Sequence, residues 1–315
     1  MRDVTRRFNG VTAVDNVTLD VPEGTILGLI GPSGSGKTTT VRMLTGTLPP
    51  TSGSIQVLGE EPRRFSTRVR EQIAYMPQLF SLYPDLTARE NVGFVAALYG
   101  IGIFSRRGRI RRALEIVSLW DARDRLARDL SGGEQRRLEL ACALVHSASV
   151  LFVDEPTAGI DPMLRQAIWD QLRELRRAGN TLLVTTQYVG EAEYCDRVAL
   201  LDHGALIGVD DPAAMRRAVF GGEVVEVLTD RDVDPEMLSD TRALSRVRQT
   251  EPRKLVVIAD DAGRAAPEIV TELSRQGVGV VSVSEYQPSF DEVFTALVER
   301  HRNGRREATG ADRLG

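Results

Sequence analysis

Thr25-Ile26-Leu27-Gly28-Leu29-Ile30-Gly31-Pro32-Ser33-Gly34-Ser35-Gly36-Lys37-Thr38 is the stretch on which the reading of the chain turns. Thr25 to Ile30 reads as a strand buried on both faces of a parallel sheet. The next eight residues match G-x-x-x-x-G-K-[ST], and Thr38 to Leu44 reads as a helix. Motif and context therefore agree. Glycines let backbone N–H groups curl around phosphates, and the helix N-terminus adds positive potential. Lys37 is placed to reach β/γ-phosphates, and Thr38 to ligate magnesium.

Outward from that loop, Ser149–Val153 and Thr181–Thr185 read as further buried strands, and Val198–Asp202 as a late strand entering a turn at His203-Gly204. The strand at 149–153 ends in Asp154-Glu155-Pro156, which puts two carboxylates at the sheet edge where ligands of open α/β sheets collect. Alone, such a pair is a common helix-initiating surface feature. Beside the phosphate loop, Asp154 reads as a magnesium contact and Glu155 as the group that orients and polarises an attacking water. Leu130-Ser131-Gly132-Gly133-Glu134-Gln135 opens a helix with apolar Leu138, Ala141, Cys142 and Val145 on one face. Ser131 and Glu134 form a capping box. The two adjacent glycines cost backbone entropy and read as a place where a phosphate approaches bare N–H groups.

A length of 315 residues predicts about two domains, at roughly 100–200 residues each. The first, residues 1–220, shows α/β patterning interrupted by an Arg-rich helical subdomain at about 87–147. The second, 221–300, is a small α+β domain with strands at Val224–Leu228, Leu255–Ile258 and Val278–Val283 and a helix over 265–275. Residues 301–315 are polar and read as a flexible tail. No internal repeat is visible. A net charge of −4 disfavours nucleic acid as a partner. Cys142 and Cys195 are too few for a disulfide framework, and the three histidines are too scattered for a metal site. The longest apolar run, Val92–Phe104, falls short of the ~18–20 residues a membrane span needs. No apolar signal core follows Met1, so a cytoplasmic location is expected. Thirty-eight arginines stand against two lysines, Lys37 and Lys254. Lys254 has no partner pattern and reads as surface.

The order of the Lys37 loop, Gln78, Leu130–Gln135, Asp154-Glu155 and Asp161 resembles the nucleotide-binding domain of ATP-binding cassette (ABC) ATPases over about residues 3–215. The resemblance implies a P-loop NTPase fold with a mixed sheet, an antiparallel β part and an inserted helical subdomain. It implies ATP bound by Gly31, Pro32, Ser33, Gly34, Ser35, Gly36, Lys37, Thr38 and Thr39, with Phe8 stacked on the adenine. Magnesium would be held by Thr38, Gln78 and Asp154. In the family two copies meet head to tail, so Ser131, Gly132, Gly133 and Glu134 of one copy complete the site of the other, with Asp161 at the crossing loop. The segments Tyr75–Asn91 and Gln287–Phe294 resemble the drug- and polysaccharide-export branch.

Export through a separate permease of about six transmembrane helices, by a homodimer peripheral to the inner face of the cell membrane, is the expected function. Nucleic-acid or ribosome remodelling, and an ATP-dependent regulatory module with little hydrolysis, are the alternatives. The last stays open because Gln187 stands where the family usually has a histidine on the γ-phosphate, and an amide cannot carry a proton or a positive charge. Glu155 and Gln187 are thus the catalytic candidates. The cluster Arg106–Arg112 could face anionic lipid headgroups, which attract basic residues at about 1 kcal/mol each; a solvated helix face is the plainer reading.

Overall fold

The computed structural model describes residues 1–78, 82–146, 148–238 and 244–311, with side chains through 303. Leu79–Ser81 of the Tyr75–Asn91 segment, Ser147 of the helical subdomain and residues 312–315 of the tail lie outside the described residues. The chain divides into two compact units, Met1–Val209 and Asp210–Gly315.

In the first unit β1 (Arg2–Phe8) and β2 (Val11–Val17) form a hairpin, and β3 (Ile26–Ile30) runs into α1 (Lys37–Leu44). β4 (Ser52–Ser54), α2 (Thr67–Glu71) and β5 (Ile73–Met76) lead to the helical segment, α3 (Ala88–Leu98), α4 (Ile103–Ile116) and α5 (Gly132–Leu144). Then come β6 (Val150–Asp154), α6 (Pro162–Arg177), β7 (Thr181–Thr186), β8 (Arg197–Asp202) and β9 (Ala205–Asp210). β2-β1-β4 make a small antiparallel sheet, and β5-β6-β7-β3-β8-β9 make the central one. From β5 to β8 the central strands are parallel. Every residue of β3 and β7 is buried, the consequence of covering both faces of a parallel sheet. The strands read from sequence at 25–30, 149–153, 181–185 and 198–202 match these elements to within a residue or so.

The strand order places the chemistry. β3, β6 and β7 lie side by side, so their carboxyl ends bring Gly31, Asp154 and Gln187 to one edge. Helix starts are locally encoded: Thr87 with Glu90 and Ser131 with Glu134 form reciprocal capping boxes, and Asp161 caps α6. Asn91, 2% exposed, accepts from the Tyr83 N–H and donates to the carbonyls of Tyr83, Leu86 and Thr87, fastening the entry to α3.

The second unit contains α7 (Pro212–Phe220), β10 (Glu223–Thr229), β11 (Leu244–Glu251), β12 (Lys254–Ala259), α8 (Ala262–Arg275), β13 (Val280–Tyr286) and α9 (Phe290–Ala311). Its antiparallel sheet has the order β11-β12-β10-β13. Val225, Val227, Leu255 and Val257 of the sheet meet Ile269 and Leu273 of α8 in its core.

Four expectations are corrected here. The boundary falls at 209/210 rather than 220/221: Gly221 (φ 87) only ends α7, which is bonded to its own unit by Arg216 to the Pro288 carbonyl and Arg300 to that of Val219. β11 was invisible because its side chains are mostly polar and exposed. The expected tail is helical as far as Ala311, continuing α9. Lys254 does have a partner, the Glu226 carboxylate on the neighbouring strand at 2.9 Å.

The signature glycines also separate. A Cβ on Gly133 would lie 1.7 Å from Cδ2 of Leu164 and 3.0 Å from its Cγ, so a larger residue there would have to push aside the half-buried Leu164 side chain at the start of α6. A Cβ on Gly132 would meet nothing within 4 Å. Packing thus gives Gly132 no reason of its own, and gives Gly133 one that a leucine rotamer could relieve. Gly133→Ala should lower unfolding free energy in urea by about 1–3 kcal/mol through overpacking. Gly132→Ala should be neutral or slightly stabilising, since alanine is the better helix former by roughly 0.5–1 kcal/mol.

Candidate functional site

The loop between β3 and α1 is shaped by glycines that other residues could not replace. Gly36 has φ 105, and a Cβ there would stand 2.4 Å from the Ala13 carbonyl oxygen of β2. A Cβ on Gly31 would stand 2.2 Å from the Leu201 carbonyl of β8. The antiparallel hairpin and the central sheet thus fix the loop from outside. Pro32, Ser33 and Gly34 are exposed at its crest, while Ser35 is buried with a hydroxyl that has no hydrogen-bond partner among the described residues. Backbone N–H groups around a helix start form an anion cradle.

Lys37 closes the loop from inside. Its side chain is 3% exposed, and Nζ donates to the carbonyls of Gly31 (2.8 Å) and Pro32 (3.0 Å) and lies 3.4 Å from Oε1 of Glu155. Burial lowers its pKa below the usual lysine value, opposed by the Glu155 carboxylate. Glu155 in turn accepts from Nε2 of Gln78 at 2.8 Å. Lys37, Glu155 and Gln78 therefore form one cluster at the edge of the sheet, with the first two buried.

Asp154 lies beside it at the end of β6, fully buried. Its Oδ1 accepts from the hydroxyls of Thr38 (3.3 Å) and Thr185, and its Oδ2 has no partner among the described residues. Burial raises its pKa, and the two hydroxyls oppose that. A buried acceptor next to a threonine hydroxyl suits a divalent cation or a water bound to one. No group of three or more His, Cys, Asp or Glu with metal-holding geometry occurs among the described residues.

Two contributors were missed in the sequence. Thr185 stands directly across from Asp154 in the β6–β7 register, and both its hydroxyl and its carbonyl accept from the Glu155 N–H. One of three threonines in β7, it carried no signal of its own. Arg136, on α5, donates to the carbonyls of Asp154, Glu155 and Pro156. Among thirty-eight arginines it carried no signal. Glu155 itself has φ 49, a left-handed backbone that costs a non-glycine residue on the order of 1–3 kcal/mol and recurs at functional sites.

Not every candidate joins the cluster. Phe8 is exposed at the end of β1 with the Arg6 guanidinium 4.4 Å from its ring centre. Gln187 is exposed just after β7, and Thr39 is half-buried on α1. Asp161 accepts from the Leu164 N–H as a helix cap. At the start of α5, Glu134 accepts from the Ser131 N–H and from Arg125, both at 2.8 Å. That carboxylate is engaged in capping, and none of these bonds reaches the Lys37 loop. Part of the arginine cluster on α4 is also engaged: Arg106 donates to the Ile101 carbonyl and Arg111 to Glu115.

Comparison with known proteins bears on this arrangement. Residues 14–158 match the ABC transporter family, and residues 213–298 match the C-terminal domain of DrrA1-3-like ATP-binding proteins. The chain is 38% identical over 295 residues to the daunorubicin/doxorubicin resistance ATP-binding protein DrrA of Streptomyces peucetius, covering 92% of this chain and 89% of that protein. It is 38% identical over 242 residues to the Nod factor export ATP-binding protein I of Cupriavidus metallidurans, covering 76% of this chain and 79% of that one. Among solved structures it is similar to the ATP-binding cassette MJ0796, a dimer in a post-hydrolysis state bound to ADP and Pi, with TM-score 0.61 and 28% identity over 67% of this chain and 97% of that one. A phosphate loop closed by a buried lysine, two carboxylates at the adjoining strand end and a relative matched over nearly its whole length lead to one conclusion: the chain belongs to the ATP-binding subunits of ABC transporters, and is an ATPase.

Proposed function

We propose that the protein binds and hydrolyses ATP at the Lys37–Glu155 cluster, as a homodimer that drives export through a separate membrane permease. The observation that carries this is the buried Lys37 ammonium held at the mouth of an anion cradle, within 3.4 Å of a carboxylate in a strained backbone. The loop Gly31–Thr38, with Thr39, would take the phosphates, and Phe8 the adenine. Thr38 and Asp154 would hold magnesium, with Gln78 beside them. Magnesium, when bound, supplies charge to the phosphate oxygens. Glu155 orients and polarises the attacking water. Ser131, Gly132 and Gly133 of a second copy close over the site, and Asp161 stands at the crossing.

The names of the relatives, one tied to daunorubicin and doxorubicin resistance and one to Nod factor export, support an export role. No helix among the described residues is long and apolar enough to cross a membrane; the permease in this reading is a separate chain of about six transmembrane helices. The surface that suits its cytoplasmic side is a cleft of about 450 Å³ on the helical segment, lined by Arg89, Ile103, Arg106, Ile110, Trp120 and Arg123. Ile103 of its lining and Phe104, the next residue, are both largely exposed, so an apolar surface stands open to a partner there. The protein would then sit at the inner face of the cell membrane.

Gln187 slows hydrolysis without abolishing it, because Glu155 is intact and an amide still donates a neutral hydrogen bond to phosphate. Glu155→Gln should abolish turnover while ATP binding persists, and Lys37→Arg should lose turnover because a planar guanidinium cannot occupy the space of an ammonium inside the loop. Gln187→His should raise kcat by roughly several-fold, a charge-assisted bond being about twice as strong as a neutral one. Steady-state ATPase assays with equilibrium nucleotide binding check all three. Turnover unchanged by Gln187→His would show that position 187 does not limit the rate.

A further inference from the structure

We propose that Arg136 is a positioning residue for the ATPase reaction, setting the backbone of Glu155 from the helix that carries Ser131–Gly133. The inference rests on the reading of Glu155 as the carboxylate that polarises the attacking water.

The guanidinium is used on every side. Nε donates to the Pro156 carbonyl (3.1 Å), Nη2 to those of Asp154 (3.1 Å) and Glu155 (2.6 Å), and Nη1 to that of Gln78 (3.4 Å) and to the Glu139 carboxylate. Three consecutive carbonyls leave the end of β6 toward one planar fork, at the point where the chain turns through the left-handed Glu155. The fork also reaches the backbone of Gln78, whose side chain bonds the Glu155 carboxylate. Backbone and side chain of Glu155 are thus tied to Arg136 by two short routes.

The surroundings fit this role. The Arg136 and Glu139 side chains are 11% and 12% exposed, and burial raises the pKa of Glu139 against the pull of Arg136. A pair this buried adds little net stability over an apolar pair of the same volume, so its placement needs another reason. Orientation of a catalytic group is such a reason. Arg136 lies five residues after Ser131 on the same helix, α5. Any movement of that helix when a second copy closes on Ser131–Gly133 would be carried to Glu155 through this side chain.

In the full-length protein, Arg136→Gln should lower kcat for ATP hydrolysis roughly ten- to hundred-fold, the loss expected from misplacing a catalytic group by about 1 Å. KM for ATP and binding of a fluorescent ATP analogue should stay within about two-fold of wild type. Arg136→Lys should not restore the rate, because an ammonium cannot span three carbonyls. Wild-type kcat in Arg136→Gln, full activity in Arg136→Lys, or loss of kcat in step with ATP binding and melting temperature would each overturn the proposal. Should Arg136→Gln fail to fold, Glu139→Gln decides: a several-fold fall in kcat at unchanged KM supports the proposal, and an unchanged kcat refutes it. The two claims fail separately. Turnover surviving in Glu155→Gln would remove the reading of Glu155, whereas turnover lost there and retained in Arg136→Gln would remove only the role of Arg136.

Discussion

The buried Lys37 ammonium is the constraint around which the first unit is arranged. Desolvating such a charge costs several kcal/mol unless partners surround it. Two of those partners are carbonyls of its own loop and the third is Glu155, more than a hundred residues further along the chain. Glu155 can be there only because β3 and β6 flank β7 in register, and because the turn after Asp154 adopts a left-handed backbone. Arg136 holds the carbonyls of that turn while Gln78 holds the carboxylate. The parallel order of three strands, the glycines that let β2 and β8 press on the loop, and the helix that delivers Arg136 all serve one ion pair.

Much of this was legible in the sequence for a physical reason. A phosphate loop is a local object, its glycine positions dictated by φ and by close approach, so a linear string reports it. Asp154-Glu155, a common surface pair by itself, was legible because it ends a buried strand of the same sheet as that loop. What escaped were features defined by register and by tertiary packing. Thr185 matters only because it faces Asp154 across two strands, and the contact of Leu164 with Gly133 likewise exists only in three dimensions. The capping box around Glu134 was read correctly as local chemistry, and it turns out to occupy the carboxylate that the resemblance had assigned to nucleotide.

The second unit shows the complementary failure. Its apolar strands and α8 were found because their alternation is strong, and they supply the core. β11 and the boundary helix α7 were not, since the first is an exposed polar edge strand and the second ends in Gly221-Gly222, which also reads as a linker. Polar edge strands are a common protection against unwanted pairing, and the same property hides them from pattern reading.

The skew from lysine to arginine acquires a structural meaning at two positions. Arginine presents a wide planar fork, and lysine a compact charge on a flexible stem. At residue 136 the acceptors are spread across Asp154, Glu155, Pro156, Gln78 and Glu139, an arc that only a fork can serve. At residue 37 they converge on a single point inside a tight loop, where a fork has no room. Lys254, half-exposed and meeting one carboxylate on a neighbouring strand, is under neither constraint. In a chain that otherwise uses arginine for nearly every positive charge, composition alone accounts for Arg136 and leaves Lys254 without weight. It is the geometry of the acceptors that makes positions 37 and 136 non-interchangeable.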